Sequence, residues 1–188
     1  MARRNVCGVV AQGFAVFETA LGHCGVAWDE RAVVGCQLPE GSPERTRARL
    51  ADRYPSAREQ HPPEHARAAS EGIAALLRGE RVDLTDVPLG MDGVPRFHRL
   101  VYELVRTIEP GDTVTYGEVA TRLGYPGAAR AVGQAMGSNP FAPIVPCHRV
   151  LAAGGGAGGF SATGGVATKR RMLELEGVHL EEPTLFDL

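Results

Sequence analysis

Two glycines and a proline fall within the six residues Gly90-Met91-Asp92-Gly93-Val94-Pro95. No regular element runs through such a segment: glycine adds conformational freedom, and proline removes a hydrogen-bond donor and fixes φ. The break separates two halves of different texture. Before it lie short apolar runs with turn residues between them; after it lie short helical repeats. The expected organisation is an N-terminal α/β domain over 1–93, a mostly helical C-terminal domain over 94–180, and an acidic tail over 181–188. The fold class is α/β in the α+β sense.

In the first half, Phe14–Phe17, Cys24–Trp28 and Ala32–Cys36 read as strands, with turns at Leu21-Gly22 and Asp29-Glu30-Arg31, giving an antiparallel meander. Gly41-Ser42-Pro43-Glu44 is a helix start: Ser42 caps, Pro43 suits the first helical position, and Glu44 complements the dipole. That helix runs to Tyr54, and Pro55 stops it. Pro55 to Glu64 reads as a surface loop, Ala66 to Arg78 as a second helix, and Val82–Leu84 and Val87–Leu89 as short extended pieces.

The second half opens with a helix over Phe97–Ile108, whose Leu100, Val101, Leu104, Val105 and Ile108 fall on one face. Thr113–Tyr116 is extended, Gly117–Leu123 is a brief helix, Gly124–Gly127 is a turn, and Ala128–Gly137 is a second helix. Two short helices about a tight turn have the form of a helix–turn–helix. Ile144-Val145-Pro146 then reads as an extended run delivering Cys147, and Thr168–Glu176 as the last helix.

The chemistry-bearing stretch is Pro146-Cys147-His148-Arg149-Val150. A thiol is a weak nucleophile near neutral pH until a base or a positive charge favours its thiolate. Neighbours on an extended chain point to opposite sides, so His148 reaches the sulfur only across a turn or through a water. A buried structural Cys-His pair is the alternative. The helix Ala128–Gly137 is unusual for a major-groove reader, since Arg130 is its one long cation among alanines and glycines. Small residues allow close approach to a minor groove, and one protruding arginine suits the gap left by an extruded nucleotide. An Ala-rich packing helix remains the competing reading. Gly154–Gly159 contains the spacing of a dinucleotide loop, but no helix begins at it, so it reads as a pocket-shaping loop.

Charge agrees with a DNA-facing second half. The net charge is −2, yet residues 96–180 carry 9 Lys and Arg against 6 Asp and Glu. Of the four cysteines, Cys7, Cys24 and Cys36 read as buried strand residues; no metal site and no disulfide framework is expected. The sequence holds no apolar run of about 18 residues, the length of a membrane-spanning helix. Neither is there a recognisable signal peptide, so a cytoplasmic, nucleoid-associated location is expected.

Taken together, Thr113–Gly117, Ala128–Gly133, Ser138-Asn139-Pro140, Pro146–Val150 and Leu173–Gly177 closely resemble the motifs of the O6-alkylguanine-DNA alkyltransferases, in one consistent order over residues 96–178. The resemblance implies an RNase H-like N-terminal domain and a winged-helix-like helix–turn–helix. It further implies a monomer that needs no cofactor and acts on double-stranded DNA carrying O6-alkylguanine, with O4-alkylthymine as a further substrate. By motif, Cys147 is nucleophile and alkyl acceptor, His148 a base through water, and Glu176 its orienting partner. Tyr116 assists base flipping and guanine protonation. Asn139 ties the recognition helix to the active-site turn. Arg130 fills the vacated space, with Ala129, Ala131 and Gly133 beside it against DNA, while Pro146, Val150, Phe160 and Ser161 line the pocket. The chain departs from the family at Phe160, often tyrosine, at Ala162, often glycine, and in a Phe160–Lys169 segment about two residues longer. A non-catalytic lesion-binding module is the alternative, against which the presence of Cys147 speaks; a DNA-binding regulator with a sensing thiol is a minor third.

Overall fold

The computed structural model describes residues 10–180. Cys7, the first residues and the acidic tail lie outside that range. In the first half, β1 (Gly13–Thr19), β2 (Gly22–Trp28) and β3 (Val33–Gln37) form the expected antiparallel meander. The expected loop between the helices contributes a strand, β4 (Arg58–Glu59), which pairs parallel to β1 and gives the order β3-β2-β1-β4. Two residues of ladder have no periodicity to detect, which is why composition alone reads them as loop.

Alternation along β2 sorts the core. Ala27, with Phe14 and Val34, meets Leu50 of α1 (Pro43–Arg53) and Tyr54 at its C-cap. Cys24, Val26 and Trp28 meet Ala66, Ala69 and Ile73 of α2 (Glu64–Leu76). Successive strand residues face opposite sides, so one strand serves both helices. Ser42 caps α1 by accepting from the Arg45 amide at 3.3 Å. Val82–Leu84 and Val87–Leu89 are not strands; Leu89 makes a single bridge with Val33.

The second half contains α3 (Arg96–Val105), α4 (Tyr116–Arg122), α5 (Ala129–Gly137) and α6 (Gly165–Leu175), with β5 (Val114–Thr115) paired parallel to β6 (Val150–Leu151). α3 ends three residues before Ile108, while α6 begins three residues before Thr168. A capping box starts α4: Thr115 Oγ1 accepts from the Glu118 amide, and the Glu118 carboxylate accepts from the Thr115 amide at 2.6 Å. Helix α5 turns Val132, Ala135 and Met136 inward, and the Tyr102 hydroxyl fastens it by donating to the Ala135 carbonyl at 2.9 Å.

Ile144-Val145-Pro146 is not an extended run but part of a compact turn. The Val145 amide donates to the Phe141 carbonyl at 3.1 Å, and a 3-10 turn follows over Cys147–Arg149. Its apolar character reflects packing rather than a ladder: Val145 is buried with Cys147 and Val150, and Ile144 joins the sheet-side core with Met172. The Cys36 amide also crosses between the halves to the Pro140 carbonyl at 2.8 Å.

Leu50 is completely buried between α1 and the sheet. Leu50→Ala is expected to cost about 3 kcal/mol through lost transfer energy and a residual cavity. Urea denaturation followed by circular dichroism measures it.

Candidate active site

The 3-10 turn places three consecutive side chains, Cys147, His148 and Arg149, in the interior, at 7, 0 and 5% exposure. Two of them converge on one carboxylate. Glu176, just past α6 and with a side chain 3% exposed, takes Arg149 Nε at 2.9 Å on Oε2 and Arg149 Nη2 at 2.7 Å on Oε1. His148 Nε2 stands 2.9 Å from the same Oε1. Arg149 Nη1 donates to the Ile108 carbonyl, so the segment after α3, the turn and the end of α6 share one network.

The electrostatics fix the protonation states. Burial alone would raise the Glu176 pKa, but the hydrogen bonds and charges of His148 and Arg149 outweigh it and carry the carboxyl down to about 2. Burial is also the largest influence on His148 and pushes its pKa down, against the pull of Glu176, so the imidazole is neutral near pH 7. An ionised carboxylate only accepts, so the single imidazole proton sits on Nε2. Nδ1 is thereby left as a basic lone pair, and it makes no hydrogen bond among the described residues.

Burial raises the Cys147 pKa as well. A hydrogen bond from Asn139, the charge of Lys169 and the backbone amides of Cys147 and His148 work in the opposite direction. Cys24 and Cys36 lack that set and are driven up to about 12. Both lie buried in the sheet, as the sequence reading has them. Asn139 is held at the exit of α5: its Nδ2 donates to the Val145 carbonyl at 2.8 Å and its Oδ1 accepts from the Phe141 amide at 2.9 Å. It therefore links the end of α5 to the turn that carries the thiol.

Tyr116, the first residue of α4, is half-buried against the Cys147 cluster, and burial raises its pKa, followed by the effect of the Cys147 charge. It stays a protonated donor. Pro146 and Val150 are buried around the thiol, and Phe160 is half-buried against the same cluster. Ser161, next along the chain, is exposed. Arg130 is exposed on α5, with Ala129, Ala131 and Gly133 partly exposed beside it. A methyl placed on Gly133 would meet no atom within 4 Å, so internal packing does not demand glycine there. Arg149 also lines a cleft of about 370 Å³ with Leu84, Arg106 and Ile108, which Cys147 does not border.

Two residues of the network are not singled out by the sequence reading, Arg149 and Lys169. Lys169 is fully buried on α6, donates from Nζ to the Val150 carbonyl at 2.6 Å and lies 5.9 Å from the Tyr116 ring centre. Burial lowers its pKa to about 8, with the Cys147 charge opposing. One signal marks it: it is the chain's single lysine among 19 arginines. A buried site that needs a compact ammonium does not accept a guanidinium.

A helix–turn–helix followed by a buried cysteine beside an imidazole–carboxylate pair defines a DNA-associated protein with a cysteine nucleophile. The comparisons narrow that class. Residues 96–178 match the family described as 6-O-methylguanine DNA methyltransferase, DNA binding domain. A methylated-DNA–protein-cysteine methyltransferase of Methanothermobacter thermautotrophicus is 36% identical over 157 residues, covering 84% of this chain and 81% of its own. One of Mycobacterium tuberculosis is 45% identical over 120 residues, covering 63% and 70%. The crystal structure of Mycobacterium tuberculosis OGT in complex with DNA superposes with a TM-score of 0.69 at 34% identity, covering 87% of this chain and 92% of that one. The chain belongs to the methylated-DNA–protein-cysteine methyltransferase family.

The Glu176 carboxyl sits below its ordinary value of 4.5, so its contribution to stability is present above that pH and is lost as pH falls toward about 2. The loss is on the order of 3 kcal/mol. Protonation of the depressed His148 erodes stability in the same direction. Glu176→Gln is expected to be less stable at pH 7, because Arg149 loses its counter-charge, and to show a shallower acid limb. Urea midpoints measured as a function of pH give both.

Proposed function

We propose that the chain repairs alkylated DNA directly, moving the alkyl group of O6-alkylguanine, and also of O4-alkylthymine, onto its own Cys147. The observation that carries the reading is the buried thiol on the turn that Asn139 fastens, beside a neutral imidazole whose proton is fixed on Nε2 by Glu176. It stands in a chain whose relatives bear the name of this activity.

The proton leaves Cys147 through a bridging water to His148 Nδ1, and the resulting imidazolium is stabilised by Glu176, which Arg149 holds ionised. Sγ attacks the alkyl carbon; the C–S bond forms as the bond from carbon to the base oxygen breaks. The negative charge that develops on the departing base is relieved by the Tyr116 phenol, whose proton leaves with the base, and the proton held by His148 returns through solvent to the phenolate, so the net change moves the thiol proton to the base. Lys169, with its charge near both Tyr116 and the thiol, favours the thiolate. The thioether formed has no easy hydrolysis route, so each molecule acts once. Cysteine is both nucleophile and acceptor, and the reaction needs no cofactor.

The proposed DNA contact is through the minor groove. Ala129, Ala131 and Gly133 allow α5 to approach closely, and Arg130 enters the stack where the lesion nucleotide has been extruded. Pro146, Val150, Phe160 and Ser161 border the flipped base. The protein acts as a monomer, in the cytoplasm at the nucleoid.

Incubation with duplex carrying O6-methylguanine is expected to add one methyl to the Cys147 peptide, read by mass spectrometry; an unmodified peptide in DNA-bound protein would end the reading. Cys147→Ser should bind the duplex and transfer nothing. For Arg130→Ala, the rate of transfer is expected to fall about tenfold while affinity for undamaged duplex changes less than about threefold, since its contact is made in the extruded state. Stopped reactions and fluorescence anisotropy separate the two, and equal losses contradict the assigned role.

A further inference from the structure

The segment between β6 and α6 forms one wall of the Cys147 site, and it is held from outside the second half. The Gly158 backbone lies against Tyr116: with φ at +65°, a Cβ there would stand 3.3 Å from the ring edge and from the hydroxyl. Phe160 packs against the core that contains Cys147 and also against the sheet-side core of the first half. Ala162 packs against the sheet-side core alone. Thr163 Oγ1 then donates to Glu40 Oε2 at 2.5 Å, across 123 residues of sequence.

Both partners of that hydrogen bond are fixed. The other Glu40 oxygen accepts from Gln37 Nε2 at 2.8 Å, and the Glu40 amide donates to Thr46 Oγ1 at 3.2 Å. Thr46 is completely buried and donates in turn to the His23 carbonyl of β2 at 3.0 Å. On the other side, the Thr163 carbonyl accepts from Thr168 Oγ1 at 2.7 Å, and the Gly165 amide bonds to the Ala162 carbonyl at 2.9 Å. Gly164, at φ +84°, makes this turn possible; a Cβ there would lie 2.3 Å from Thr168 Oγ1. The loop is thus gripped at Thr163 by its hydroxyl from the sheet and by its carbonyl from α6.

We propose that Glu40 is a positioning residue for the substrate pocket. Through Thr163 it fixes how far the Gly158–Thr163 wall stands from Tyr116, and so restricts the pocket to small alkyl groups. The first half, whose described residues contribute no side chain to the network of Cys147, His148, Arg149 and Glu176, thereby sets substrate size. A hydrogen bond to a charged acceptor is worth more than a neutral one, and its loss frees a segment otherwise tied by turns and two apolar contacts. This inference rests on the alkyl-transfer reading of Cys147.

The test compares single-turnover transfer from O6-methylguanine and O6-benzylguanine in the same duplex. Thr163→Val and Glu40→Ala are each expected to raise the benzyl-to-methyl rate ratio about fivefold, with the double variant no higher than either single one because both remove one interaction. Thr163→Ser keeps the hydroxyl and is expected to keep the parental ratio. A purely structural contact would alter melting temperature, or slow both substrates alike, without moving the ratio. A ratio unchanged within about twofold, a lowered ratio, or a Thr163→Ser variant that behaves as Thr163→Val overturns the proposal. A parent protein that transfers neither group ends the alkyl-transfer reading and this inference with it.

Discussion

One carboxylate holds the reactive part of this molecule together. Glu176 closes α6 and receives a two-point contact from Arg149 and a third from His148, with scarcely any solvent exposure. A buried carboxylate without partners would take up a proton and lose its influence on the imidazole. The fixed guanidinium prevents this, and the ionised carboxylate selects the imidazole tautomer. In the mechanism proposed above, the direction of proton flow at Cys147 depends on this carboxylate through His148. The same carboxylate and guanidinium join the end of α6, the 3-10 turn and the segment after α3, so the tertiary packing of the second half and the acid–base state of its site are one arrangement.

The sequence carries those parts whose cause is local. Ser42-Pro43 starts α1 where side-chain chemistry places it, and alternation finds the three strands of the meander. Family motifs mark Cys147, His148, Asn139, Tyr116 and Glu176, and the structure gathers them at one place. What escapes is set by distance along the chain. β4 exists because β1 has an open edge, which no property of Arg58-Glu59 announces. Ile144–Pro146 has the composition of a strand and the geometry of a turn, since its apolar residues serve two cores at once. Arg149 lies within a recognised motif, yet its partners are 27 residues onward and 41 residues back.

The division of labour between the halves follows the same logic. The sheet and its two helices pack around two cores, one of which also buries Ile144 and Met172 of the second half. Contacts from that body reach the turn after α5, through the Cys36 amide and Pro140, and the loop before α6, through Glu40. Both are segments that border the thiol. The first half can in this way touch the segments that frame the site while its own thiols, Cys24 and Cys36, stay buried in the sheet.

Lys169 has a further consequence of a practical kind. It is the chain's one side-chain amine, and in the folded protein it has no exposure to solvent. Arginine guanidinium does not react with the usual acylating reagents, so side-chain amine labelling of this protein has one possible target. That target becomes accessible only when α6 separates from β6 and Tyr116. The chain carries a built-in reporter for opening of its reactive half, readable as a single mass increment on one peptide.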